Sequence, residues 1–199
     1  KKMLPPHVMA GVSDPNVTAY SLPVVNIVDD PRFEYRGFML DVSRHFFSVE
    51  EVKRMLDVMA YYKMNRFHWH LSDDQGWRVE IKKYPRLTSV GSIAPNSRFT
   101  DLYTCTQYWI NKPYGPYFYT QEEIREVVDY AKALHIEIVP EIDMPGHFVA
   151  AMASYPEYSC YPNGNHVIWS DGGISSDILN VANPQAVQFA KDILEELIE

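Results

Sequence analysis

Residues 36–74, RGFMLDVSRHFFSVEEVKRMLDVMAYYKMNRFHWHLSDD, read as a strand, a helix and a second strand, with almost nothing between the last two. The run from Arg36 to Ser43 follows the breaker Asp30-Pro31, is rich in aromatic and aliphatic residues, and predicts strand one. Ser48 with Glu51 three residues on forms a capping box, and Val49, Val52, Met55, Leu56, Met59 and Ala60 recur at helical spacing to about Met64. Asn65 to Ser72 then alternates as strand two, with His68, His70 and Ser72 on one face and Phe67, Trp69 and Leu71 on the other.

The same grammar repeats outward. After a long stretch rich in Asp, Gly, Pro, Asn and Tyr, Thr120 with Glu123 forms a second capping box, and Ile124, Val127, Val128, Ala131 and Leu134 supply a buried helical face. Strand three, Ile136 to Ile142, follows at once. A second excursion runs from about Asp143 to Ala182, and Asn183 as N-cap with Pro184 at the first helical position opens a helix with the stripe Val187, Ala190, Ile193, Leu194 and Leu197.

Helix-to-strand connections are therefore almost nil, while two strand-to-helix connections are long. In parallel α/β folds the site lies at the carboxyl ends of the strands, so the long loops point to function. A (β/α)8 barrel and an open doubly wound sheet both fit this pattern, and three strands alone cannot close a barrel of eight. Residues 1–30 fit neither unit and are expected to be a linker or the remnant of a preceding domain; residues 31–199 form the α/β part.

The bulk composition limits the partners. With 46% hydrophobic and 14% aromatic residues the chain has enough apolar content for a globular core. Its formal net charge of −8, without a basic cluster, argues against nucleic acid and anionic membrane surfaces. No apolar run approaches the roughly 18 residues of a membrane span. Cys105 and Cys160 lie in the two excursions, which leaves a disulfide between them open.

Chemistry-bearing residues gather at strand ends. His68 and His70 read either as two imidazoles presented to zinc or as histidines bonded to neighbouring carboxylates. Strand three ends Glu141-Ile142-Asp143-Met144-Pro145-Gly146-His147; Glu141 and Asp143 share a face, and the step to His147 can hold its imidazole against Asp143. Strand one offers Arg36 at its start, able to donate a fork to sugar hydroxyls or to pair a carboxylate, and Asp41, Ser43, Arg44 and His45 at its end. Alternation sets Arg36 and Asp41 on opposite faces, unless Gly37 marks a bulge. Trp77, Trp109 and Trp169, with Tyr103, Tyr108, Tyr114 and Tyr117, suit either the rim of a sugar pocket or small cores under the loops.

Taken together, Pro31-Arg32-Phe33, Tyr35-Arg36-Gly37, Leu40 to Phe46, Asn65 to Arg78 and Val139 to His147 resemble glycoside hydrolase family 20, the β-N-acetylhexosaminidases. The resemblance implies a (β/α)8 TIM barrel, with about its first three β/α units present here. It implies removal of terminal, non-reducing N-acetylglucosamine or N-acetylgalactosamine, with no cofactor and no metal, by a retaining mechanism in which the substrate's acetamido oxygen attacks the anomeric carbon. By the same resemblance Arg36 and Asp73 contact substrate, and Asp73, Asp143 and His147 form the network supporting the acid/base machinery. The family's adjacent Asp and Glu, one positioning the acetamido group and one donating the proton, have no counterpart: no Asp-Glu pair occurs in these 199 residues. The pair is expected beyond Glu199, and the 199 residues alone are expected to be inactive. A secreted, periplasmic or lysosomal location is likewise what the family's substrates suggest.

Two rival readings remain. One is a non-catalytic, sugar-binding or structural fragment whose open strand edges associate with another copy. The other is a metal-dependent amidohydrolase built on His68 and His70.

Overall fold

The computed structural model describes residues 15–100, 104, 106–171 and 175–199. Cys105 and Tyr103 lie outside the described residues. The chain divides into two compact units, Lys1–Glu34 and Tyr35–Glu199. The described part of the first, residues 15–34, carries no helix or strand. The second carries, in chain order, β1 (Gly37–Asp41), α1 (Val49–Tyr61), β2 (Arg66–Asp73), β3 (Gly76–Trp77), α2 (Arg86–Ser89), β4 (Ser97–Thr100), β5 (Gln107–Ile110), α3 (Gln121–Ala133), β6 (Glu137–Ile142), α4 (Val149–Ser154), a 3-10 turn at Pro156–Tyr158 and α5 (Pro184–Ile198).

β1, β2 and β6 are parallel neighbours, with β2 in the middle. The crossovers contain α1 and α3, each opened by the capping box that its sequence carries. Both helices end at the same device: Lys63 (φ 58°) and His135 (φ 61°) adopt left-handed backbone and turn the chain into the next strand within a few residues. That turn ends α1 at Tyr61, short of the expected Met64.

Alternation along β2 holds as its sequence implies. Phe67, Trp69 and Leu71 are fully buried in one apolar cluster with Val52, Leu56 and Met59 of α1 and Val127 and Ala131 of α3. Each such side chain contributes about 1.5–3 kcal/mol relative to exposure, so this layer fixes the helices against the sheet. The opposite face of β2 is left for His68 and His70.

Two expectations change. β1 has no bulge: its register with β2 runs unbroken from Gly37–Arg66 to Asp41–His70. Gly37 instead leaves room for the Tyr35 ring, since a Cβ there would stand 2.5 Å from Tyr35 Cε1. The buried face of α5 is Ala186, Phe189, Ala190 and Ile193, whereas Leu194 is exposed. Phe189 turns the helix this way by packing on Tyr84 (4.6 Å between ring centroids) and Tyr158 (4.7 Å).

The first excursion is built rather than loose. β3 pairs antiparallel with the carboxyl end of β2, and β4 with β5 forms a hairpin. Arg78 anchors this layer. It is fully buried and donates to the carbonyls of Val42, Ser43, Ser92 and Tyr117 at 2.7–3.1 Å. Gly76 is required beside it, because any Cβ there would collide with the guanidinium. Trp77 is a core residue, edge-on to Phe148, and Tyr114 and Tyr117 pack together near Phe46. Of these aromatics Trp77 is fully buried, whereas Tyr117 keeps 41% of its surface exposed. Among the described residues no helix is long and apolar enough to cross a membrane.

Candidate active site

The carboxyl ends of the three parallel strands bring together Asp41, His70, Asp73, Glu141 and Asp143, with Arg44 and His147 from the loops that follow. β1 ends in an Asp turn: Asp41 Oδ1 accepts from the backbone N–H groups of Ser43 and Arg44, both at 3.0 Å. That turn throws the Arg44 side chain over the sheet end. Its Nη1 contacts Asp41 Oδ2 at 2.9 Å and Asp73 Oδ2 at 2.7 Å, and its Nε donates to Gln75 Oε1 at 2.8 Å.

Asp73 is the hub, with only 1% of its side chain exposed. Oδ2 accepts from His70 Nε2 (2.9 Å) as well as Arg44, and Oδ1 accepts from the Asp74 backbone N–H (2.7 Å) and His147 Nδ1 (3.0 Å). Burial alone would raise its pKa; the donors from His70, Asp74, Arg44 and His147 outweigh that and hold it below the usual range.

His70 lies between two carboxylates, donating Nδ1–H to Glu141 Oε2 at 2.7 Å and Nε2–H to Asp73. Burial works to lower its pKa, but the bonds to Asp73 and Glu141 prevail and carry it up to about 9. His70 is therefore an imidazolium at neutral pH. Glu141 also accepts from His68 Nε2 at 2.5 Å, and these histidines keep its pKa low against the effect of burial. Asp143 differs: burial first, then the neighbouring charge of Glu141, raises its pKa, and among the described residues it has no hydrogen-bond partner.

Both nitrogens of His70 and Nε2 of His68 lie within hydrogen-bond distance of carboxylates, which is the carboxylate-bonded arrangement of the two readings. Donor atoms of His70, Asp73 and Asp143, and of Asp73, Asp74 and His147, do fall within 4.8 Å of one another. Both sets share Asp73, whose oxygens are already taken by cationic and N–H donors.

Two site expectations are corrected. His147 is held by Asp73 rather than Asp143: at φ 53° its backbone is left-handed, and the ring reaches the end of β2. Arg36 is not in the cluster. It precedes β1 at the amino end, where its Nε donates to the Lys63 carbonyl at 2.6 Å. Five residues, about 16 Å of strand, separate it from Asp41. The guanidinium among the carboxylates belongs to Arg44, three residues after Asp41 in the strand-end turn, and that spacing was the available signal.

A family model, Glycosyl hydrolase family 20, catalytic domain, matches residues 33–199. The chain belongs to glycoside hydrolase family 20. Within the family it is 46% identical over 179 residues to a beta-hexosaminidase of Porphyromonas gingivalis, covering 89% of this chain and 21% of that protein. It is 39% identical over 176 residues to a beta-hexosaminidase of Akkermansia muciniphila, covering 88% and 34%. The solved structure of a GH20 beta-N-acetylhexosaminidase from Streptomyces coelicolor superposes with a TM-score of 0.71 at 42% identity, over 84% of this chain and 31% of that one. The chain thus spans about a fifth to a third of the length of the family 20 proteins it matches here.

Proposed function

We propose that β1, β2 and β6 are the first three strands of a family 20 (β/α)8 barrel, and that the full-length protein removes terminal N-acetylhexosamine from non-reducing glycan ends. Three parallel strands adjacent in chain order, helical crossovers and a polar cluster at the carboxyl ends support the barrel reading. Residues 1–30, outside the family match, would be a linker or the remnant of another domain.

One observation carries the mechanistic reading: His147 is pinned through Nδ1 to Asp73, while among the described residues its Nε2 has no partner. An imidazole fixed in this way can steady the proton of an acid placed against Nε2. In the substrate-assisted scheme that acid protonates the glycosidic oxygen as the substrate's acetamido oxygen attacks the anomeric carbon; water, deprotonated by the same group, then opens the ring so formed. The acid and the acetamido-positioning carboxylate lie outside the 199 residues, which contain no Asp-Glu pair. Within them, Arg44 offers donors to sugar hydroxyls in the role first expected of Arg36, and Asp73 aligns Arg44, His70 and His147. Asp143 stands next to His70 and Asp73 without a hydrogen bond to either.

The test is an assay on aryl glycosides. The full-length protein is expected to cleave the N-acetyl-β-glucosaminide and to leave the β-glucoside, which lacks the internal nucleophile. His147→Ala should lower kcat by roughly 10²-fold or more, the lower end of general-acid contributions. Turnover by residues 1–199 alone, or equal cleavage of the β-glucoside, would sink the proposal.

A further inference from the structure

The proposed mechanism leaves Glu141 without a task, yet Glu141 stands inside the hydrogen-bonded chain at the strand ends. It is the partner of His70 in the β2–β6 register. Its Oε2 alone meets both His68 Nε2, at 2.5 Å, and His70 Nδ1, at 2.7 Å. From there the chain runs through His70 Nε2 to Asp73 Oδ2 at 2.9 Å, and from Asp73 Oδ1 to His147 Nδ1 at 3.0 Å.

An irregularity in β2 makes this chain possible. In a regular strand His70 and Asp73, three residues apart, point to opposite faces. The pairing with β6 shifts between His70 and Ser72, so that Ser72 rather than Leu71 stands opposite Ile142. The extra residue in β2 returns Asp73 to the side of His70, the re-aiming that bulges provide beside functional sites. Ser72 Oγ, at the shift, is buried with no hydrogen-bond partner among the described residues. A strand that leaves a buried hydroxyl unsatisfied while bringing His70 against Asp73 gives up stability for that contact.

The His70 ring is held from both sides. Only 6% of its side chain is exposed, and its two nitrogens face one carboxylate each. A neutral ring has a single N–H and would turn a lone pair toward the other carboxylate; the doubly protonated ring serves both. The charged and titratable groups around it are Asp41 at the end of β1, Arg44 in the following turn, His68 and Asp73 of β2, Glu141 of β6 and Asp143 just after it. Two cations, Arg44 and His70, thus meet on Asp73 Oδ2. Removing the Glu141 carboxylate takes away the acceptor that retains the second proton of His70 and fixes the plane of its ring.

We propose that Glu141 is a positioning residue for the hydrolysis: by bonding His70 Nδ1 it keeps His70 Nε2–H on Asp73, and Asp73 in turn keeps Arg44 and His147 in place. His68 sits at the outer end of the chain, so its loss leaves the links from Glu141 to His147 intact. The assignment rests on the hexosaminidase reading for its reaction.

The experiment uses the full-length protein, with steady-state kinetics on an aryl N-acetylglucosaminide and NMR spectra of isotope-labelled histidine followed across pH. Glu141→Ala is expected to lower kcat roughly tenfold or more, and His68→Ala to leave it within about threefold, since small misplacements of a catalytic group cost up to about 10²-fold. Glu141→Gln keeps an acceptor and loses the charge. It should recover most of the activity on the acid side, then lose it at a pH about one unit or more below that of the unaltered protein, because His70 gives up its second proton earlier and leaves Asp73 a weaker, neutral donor. The histidine resonance that His70→Gln removes should titrate with the same displacement, which a merely structural role for Glu141 does not produce. Unaltered activity in Glu141→Ala, an equal loss in His68→Ala, or a pH profile and His70 resonance that stay put in Glu141→Gln would each overturn the positioning role. With the unaltered protein active, those results remove the role and leave the hydrolase reading; a displaced His70 resonance in a protein without turnover would instead keep the Glu141–His70 link and remove the hydrolase reading.

Discussion

Arg44 Nη1 lies 2.7 Å from Asp73 Oδ2, joining the turn after the first strand to the buried end of the second. Arg36, the arginine singled out by sequence for the same work, is bonded at the opposite end of β1. The two positions make opposite predictions for activity. Arg44→Ala leaves a buried carboxylate short of a donor and removes a group facing the site, so kcat/KM in the full-length protein is expected to fall about 30-fold or more, equivalent to ~2 kcal/mol. Arg36→Ala is expected to stay within a few-fold of the unaltered protein. Steady-state kinetics on an aryl N-acetylglucosaminide compare them directly, and the reverse ranking would return the role to Arg36.

His70 makes stability depend on pH on the alkaline side. Its folded pKa, about 9, is above the 6.5 of a free imidazole. A raised pKa contributes stability that is fully present below about 6.5 and is lost as pH rises through about 9. Urea midpoints are therefore expected to decline between these limits, and His70→Gln should flatten that decline while lowering stability at pH 6. A variant with the same slope as the unaltered chain would place the effect elsewhere.

Much of this arrangement was legible in sequence because local rules and tertiary structure agree. Ser48/Glu51 and Thr120/Glu123 cap the helices they announce, and alternation sorted Phe67, Trp69 and Leu71 from His68 and His70. The strand-end carboxylates were visible for the same reason. Pairings across the fold were not. His147 chose Asp73, 74 residues away, over the nearer Asp143, and the choice depends on a left-handed turn that no spacing encodes. Phe189 rotated α5 through contacts with Tyr84 and Tyr158 that periodicity alone does not contain.

Arg78 illustrates the same limit and gives a stability prediction. A buried cation is costly unless its donors are met, and here carbonyl oxygens from four positions meet them, with no carboxylate partner among the described residues. Burial pushes its pKa down to about 10. Lysine cannot reproduce the planar fork, so Arg78→Lys is expected to destabilise the fold by about 3 kcal/mol or more, measured by urea unfolding. A loss under about 1 kcal/mol would show that water replaces the guanidinium at those carbonyls.

The docking of α5 onto the first excursion depends on Asp192, which accepts from Tyr84 Oη at 2.5 Å and Gln188 Nε2 at 2.8 Å and pairs with Lys83 Nζ at 2.7 Å. The bonds from Lys83, Tyr84 and Gln188 bring its pKa down to about 2, from 3.8. A depressed pKa contributes stability that is present above about 3.8 and lost as pH falls through about 2. Asp192→Asn keeps the shape, removes the charge and turns one acceptor into a donor facing Lys83 or Tyr84. It is expected to lower the melting temperature at pH 7 by about 2–4 °C per kcal/mol lost, and to narrow the gap to the unaltered chain as pH drops from about 4 to about 2. Thermal melts across that range decide the matter: a gap that stays constant means that the carboxylate charge does not hold the helix in place.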